Sequence, residues 1–224
     1  DKVDVTVIKS TGHNISNDIC ISCGYGDVWG YKLYEDYAVI TDYNGDKSDV
    51  IIPGSIAGLP VTTIGNTVFD GYENLASVTI PNSVTSIGSY AFRNCKNLGL
   101  ISLPPNVEKI GSYAFYGCTI LTSIVVPKSL VNVGVSAFTK CSNLKYIFYT
   151  GSETDWANIK ISNNNSAFVN AVVHFNSTGH NYVIQGIENI HPHTITYKCS
   201  LCEDIKEETP IVTDCVECIE EVKG

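Results

Sequence analysis

Nine cysteines and five histidines are the side chains best suited to chemistry in this 224-residue chain. Six of the cysteines fall in CxxC pairs. Cys199-x2-Cys202 and Cys215-x2-Cys218 are separated by 12 residues. Two thiolates on one tight turn, met by two on a second, form the tetrahedral four-sulfur sphere of a structural zinc. The stretch between them, EDIKEETPIVTD, is short and polar and supplies no core. A metal would provide the folding free energy in its place. In an oxidising compartment the same four sulfurs form disulfides instead, and the spacing leaves both readings open. Near the N-terminus, His13, Cys20 and Cys23 offer three ligands for a second zinc site, without an evident fourth; a Cys20–Cys23 disulfide or free thiols are the alternatives. The tetrapeptide TGHN stands at both 11–14 and 178–181, so the two ends read as diverged relatives.

Elsewhere the residues of catalysis do not assemble. There is no GxSxG nucleophile elbow, no HExxH and no GxxxxGK[ST] phosphate loop. Asp70, Glu73 and Glu108 do not recur in register, so no paired-carboxylate site is spelled out. The expectation is a chain that is not an enzyme.

The other three cysteines lead from chemistry to architecture. Cys95, Cys118 and Cys141 close three near-copies of one decapeptide, SIGSYAFRNC, KIGSYAFYGC and NVGVSAFTKC, each offset by 23 residues, and TIGNTVFDGY is a fourth copy upstream. At this period the apolar columns align. They include Val78, Ile101, Ile124 and Ile147, then Phe69, Phe92, Phe115 and Phe138, then Leu75, Leu98, Leu121 and Leu144. One such unit is too thin to bury its apolar edge, whereas stacked neighbours bury it jointly. The triplets VTI, ISL and IVV alternate in and out as strands do, and the Pro after each lacks an amide hydrogen and ends the strand. A Gly column, Gly65, Gly88, Gly111 and Gly134, marks either a positive φ or a close backbone approach. The Cys column reads as an inert core ladder, since free Cys is a small buried hydrophobe.

The stretch LASVTIPNSVTSIGSYAFRNCKNL, 75–98, resembles the treponemal, or BspA-like, class of leucine-rich repeat at nearly every position. The resemblance covers about residues 31 to 176. It implies a mainly β solenoid: a right-handed coil of stacked short strands with a 23-residue period and capped ends. The expected division is a small His/Cys knuckle at 1–30, a leucine-rich repeat domain at 31–176 and a C-terminal module at 177–224. Within the middle part, 31–49 reads as a hairpin cap, 50–146 as repeats and 147–176 as a capping unit. The first repeat carries a five-residue insertion, IAGLP, and SETDW has a helix-start signature. Trp156 is expected to lid the open end of the core. The run 191–218 resembles small zinc-ribbon tails of bacterial surface proteins, although Glu203 stands where a knuckle Gly usually follows the second Cys.

Composition sets further bounds. The net charge is −9, from 14 basic and 23 acidic side chains, with no basic stripe, which argues against nucleic acid and against an anionic membrane surface. No apolar run approaches the roughly 20 residues of a membrane helix. The chain opens DKVDVTVIKS, without Met and without a signal sequence, so it reads as a trimmed piece. The middle residue of each strand triplet is expected to point outward. That puts Thr79, Ser102, Val125 and Phe148 on one face, joined by Tyr146, with an aromatic patch at one end for a ligand. The resemblance implies adhesion. The expected function is a non-catalytic bacterial cell-surface or secreted recognition module for a protein or glycan on another cell or matrix. The alternative is a structural spacer or attachment domain of a larger secreted protein.

Overall fold

The computed structural model describes residues 28–177 in full, together with short strands on either side for which only the backbone is described. The chain divides into two compact units, Asp1–Thr178 and Gly179–Gly224. In the second unit, β17 (Tyr182–Glu188), β18 (Thr194–Cys199) and β19 (Ile205–Glu208) form an antiparallel three-stranded sheet in chain order.

In the first unit, β1 (Ile15–Ser16) pairs with β2 (Ile19–Cys20). Then β3 (Trp29–Leu33) and β4 (Ala38–Tyr43) make an antiparallel hairpin, closed by the Tyr34 N–H donating to the Tyr37 carbonyl at 2.8 Å. β5 (Asp49–Ile51) opens the coil. The IAGLP insertion folds as a tight turn between β6 (Ser55–Ile56) and β7 (Leu59–Ile64), with Ala57 and Gly58 at φ of 52° and 81°. Two positive φ values suit the right-handed twist of a two-residue hairpin.

Each later turn contributes two short strands, β8 (Ser77–Thr79) with β9 (Ser86–Ile87), β10 (Leu100–Ser102) with β11 (Lys109–Ile110), and β12 (Ser123–Val126) with β13 (Asn132–Val133). The coil ends with β14 (Tyr146–Tyr149), α1 (Glu153–Trp156), β15 (Lys160–Ile161), α2 (Ser166–Val169) and β16 (Val172–Phe175). One side of the coil is a sheet in the order β15-β13-β11-β9-β7-β4-β3, parallel except for the β3–β4 hairpin. A second side carries β5 paired to β8, then a separate parallel sheet, β10-β12-β14-β16. Pairings such as Ile101↔Ile124 and Ile110↔Val133 are offset by 23 residues, so sequence period and strand register coincide.

The core is one continuous cluster. Phe69, Phe92, Phe115 and Phe138 are buried and stack at centroid separations of 5.1, 5.2 and 5.2 Å. Phe168 of α2 continues the stack at 4.5 Å, and Trp156 lies on it at 5.4 Å. At the opposite end Trp29 meets Phe69 edge-on at 6.1 Å. Both tryptophans of the chain therefore stand at the ends of the phenylalanine column. Ser152 caps α1 through a capping box with Asp155, whose carboxyl is held below the usual carboxylate range by the Ser152 backbone N–H and hydroxyl.

The Gly column is explained by close approach. A Cβ on Gly111 would lie 2.5 Å from the Gly88 carbonyl carbon, and one on Gly134 2.5 Å from the Ser112 nitrogen. The positive φ values fall elsewhere, at Thr67, Tyr90, Tyr113 and Ser136, and again at Gly71, Asn94, Gly117 and Lys140. These two columns bend the chain back toward the next strand, and most of their occupants are not glycine.

Cys95, Cys118 and Cys141 are free and buried, and each thiol donates to the carbonyl of Phe69, Phe92 or Phe115 on the preceding turn, at 3.1, 3.2 and 3.0 Å. Burial pushes all three thiols up, to about 12 for Cys95 and Cys141. The column is a packing ladder that also ties one turn to the next.

Candidate functional site

Strand pairing, and between β8 and β10 the 23-residue repeat alone, place the outward residues of successive turns in columns. Ile51, Thr79, Ser102, Val125, Phe148 and His174 make one column, and Asp49, Ser77, Leu100, Ser123, Tyr146 and Val172 the other. The face divides into two halves. In the N-terminal half, Thr79, Ser102, Ser77 and Asp49 are exposed, and Ile51 and Leu100 are 75% and 56% exposed. Asp49 accepts hydroxyl hydrogen bonds from Ser77 and Ser48, which hold its carboxyl below the ordinary range.

The C-terminal half corrects the sequence expectation. Phe148 is 1% and Val125 8% exposed, so the two are not an open aromatic patch. The Phe148 ring stacks against His174 at 5.3 Å, and Tyr146 lies 5.9 Å from the same imidazole. Pointing away from the coil's core did not leave these side chains in solvent.

What the described residues bring together is a groove of about 410 Å³. Thr79, Ser102, Val125 and Asn82 line it, with Pro104, Pro105 and Pro127 as a proline wall. It reaches across turns, from Val78 to Thr150. No charged side chain lines it among the described residues. The groove offers hydroxyls, one carboxamide and apolar ring faces, a chemistry of hydrogen bonding and contact. Three of the five residues expected to bind, Thr79, Ser102 and Val125, meet here, whereas Tyr146 and Phe148 do not line it. The proline wall was legible only as a strand stop, although its register two residues after the outward column was a usable signal. A larger hollow, about 650 Å³, lies at the hairpin end, where Trp29, Tyr43, Asp46 and Asp49 are among its lining residues. Tyr43 and Trp29 there also close the core against Phe69.

The expected zinc ligands Cys202, Cys215, Cys218, His13 and Cys23 lie outside the described residues, and Cys20 and Cys199 lie on strands whose side chains are not described. Among the described residues, no group of three or more His, Cys, Asp or Glu is placed to hold a metal ion, and no helix is long and apolar enough to cross a membrane.

Comparison with known proteins agrees with this architecture. A family model described as a BspA type leucine-rich repeat region, with six copies, matches residues 62–191, more than half of the chain. No curated protein matches. Among solved structures, a leucine-rich repeat protein of T. pallidum is 30% identical with a TM-score of 0.54, covering 66% of this chain and 79% of its own. One from Bacteroides capillosus is 26% identical with a TM-score of 0.50, covering 57% of this chain and 98% of its own. A protein of Faecalibacterium prausnitzii described as a leucine-rich cell surface protein is 22% identical with a TM-score of 0.43, covering 88% of this chain and 60% of its own. With its 23-residue coil, its phenylalanine and cysteine ladders and this family match, the chain belongs to the BspA-type leucine-rich repeat family.

Proposed function

We propose that this coil is a non-catalytic recognition module of a bacterial cell-surface or secreted protein, and that it holds a protein or glycan of another cell or of a matrix. The observation that carries the reading is the uncharged groove on the exposed half of the strand face, where Thr79 and Ser102 of neighbouring turns stand beside a proline wall. A solenoid keeps its core columns fixed and leaves the outward columns free to vary, so such a face is where recognition is written. The lack of charge in the groove calls for a ligand held by hydrogen bonds and apolar contact, and for binding that changes little with salt.

The test uses the whole chain against a panel of immobilised matrix proteins, mucin and glycans. Saturable binding is expected, and Thr79→Lys with Ser102→Lys should abolish it while the melting temperature stays within a few degrees of the parent, since both sites are exposed. Phe148→Ala is unsuitable as a probe, because it empties a buried site. No saturable binding across the panel, or binding indifferent to the two lysines, overturns the proposal.

A further inference from the structure

The strand ladder of the second side is interrupted at one place. β5 is tied to β8, where the Ala76 N–H donates to Ser48 and the Ile52 N–H to Thr79. β10 is tied to β12 in the same manner, with the Thr122 N–H donating to Gly99 and the Leu103 N–H to Val125, both at 3.0 Å. Between β8 and β10 there is no ladder pairing. The equivalent flanking bonds, from Gly99 or Leu100 to Ala76 and from Ile80 to Ser102, are absent among the described residues.

The same two turns are joined elsewhere around the coil. β9 pairs with β11. The Phe92 N–H reaches Ala114 at 2.8 Å, the Asn94 N–H reaches Tyr116 at 2.7 Å, and the Cys118 thiol reaches the Phe92 carbonyl at 3.2 Å. On the third side the Asn106 Nδ2 donates to the Asn82 carbonyl at 2.8 Å just past the strands, but the backbones of β8 and β10 are not bonded, which is the geometry of a hinge with these two strands as its lips. Gly99 stands at the lip where neighbouring turns have Ala76, Thr122 and Lys145, and a glycine at a strand start loses more backbone entropy on being fixed and brings no side chain to pack. Thr122, its counterpart one turn on, adds a hydroxyl bond to the Gly99 carbonyl at 3.2 Å. The seam also coincides with the groove, whose one lip carries Thr79 and Ile80 and whose other carries Ser102 and Leu103.

We propose that the coil is unlatched between β8 and β10, a lateral seam that lets the groove change width to fit its ligand. The seam stands on backbone bonding alone; its service to a ligand rests on the recognition reading above.

Residue-resolved amide hydrogen exchange on the whole chain tests it without a ligand. The Gly99 and Ile80 amides should exchange roughly 100-fold faster than those of Thr122 and Leu103, their bonded counterparts. Gly99→Thr, which copies the next turn, should slow exchange at Ile80. Equal protection at the four amides overturns the seam. Fast exchange at Ile80 that Gly99→Thr leaves unchanged overturns the part given to Gly99. Failure of the panel experiment with the exchange pattern intact strikes the recognition reading and leaves the seam standing.

Discussion

At the scale of single residues, the buried thiols behave as acids that the fold keeps protonated. An unfolded thiol ionises near its ordinary 9, whereas Cys95 and Cys141 hold their protons up to about 12, with desolvation as the first cause and Cys118 shifted in the same direction. Because the native value is the higher one, the stabilisation is complete below about pH 9. It is lost as pH rises toward 12, by about 1.4 kcal/mol per pH unit for each thiol. Urea unfolding followed from pH 8 to 11 should show the midpoint falling above 9, and Cys118→Ser should flatten that fall. A slope unchanged by the serine would show that the thiol does not keep its proton on account of burial. The column was legible in the sequence, since three cysteines in register with Tyr72 signal packing. The acceptor of each thiol was not legible, because a bond from one turn to the carbonyl of the turn before depends on how deep each turn sits in the stack.

At the scale of elements, the ends of the coil must replace the neighbour they lack. Inside the array the Phe92 and Phe115 amides donate to Ala114 and Ala137 of the following turn, each at 2.8 Å. For Phe138 no such turn follows, and the buried Asn165 side chain takes its place. Its Oδ1 accepts the Phe138 N–H at 3.0 Å, while its Nδ2 donates to Gly134 and Ser162 at 2.9 and 2.8 Å. One carboxamide thus stands in for a missing backbone. Asn165→Ala should cost about 1–3 kcal/mol by leaving a buried amide unsatisfied, and thermal unfolding checks this. Asn165→Asp should be damaging as well, since the carboxylate accepts from Phe138 but cannot donate to the two carbonyls. Neither change should matter if the bonds are incidental. SETDW announced its helix in advance because a capping box is a local device. Asn165 announced nothing, since the two partners on the preceding turn lie 27 and 31 residues away.

At the scale of the whole molecule, stability is a sum over turns and the interfaces between them. Phe168→Ala removes the aromatic ring between Phe138 and Trp156 and should cost about 3–5 kcal/mol. The loss should be local first. Hydrogen exchange at the Ser136 and Thr139 amides should rise well before exchange at the Phe92 amide. A uniform rise along the array would mean that the coil unfolds as a single cooperative unit. The outward face teaches a different lesson. Thr79 and Ser102 were read as exposed and are, but Phe148 and Val125 were given the same reading and are buried. Period-two alternation separates the inside of a turn from its outside. It says nothing of what comes to cover the outside position.

The amino-acid sequence by itself determined the period, the strand register and the phenylalanine, leucine and cysteine columns, because each of these follows from local patterning repeated at a fixed interval. The tertiary structure alone decided where the glycine column meets the backbone of the turn before, which half of the strand face stays open, how Asn165 ends the ladder and where the ladder parts. Those outcomes depend on the spacing between turns, a distance set by every contact around the coil at once.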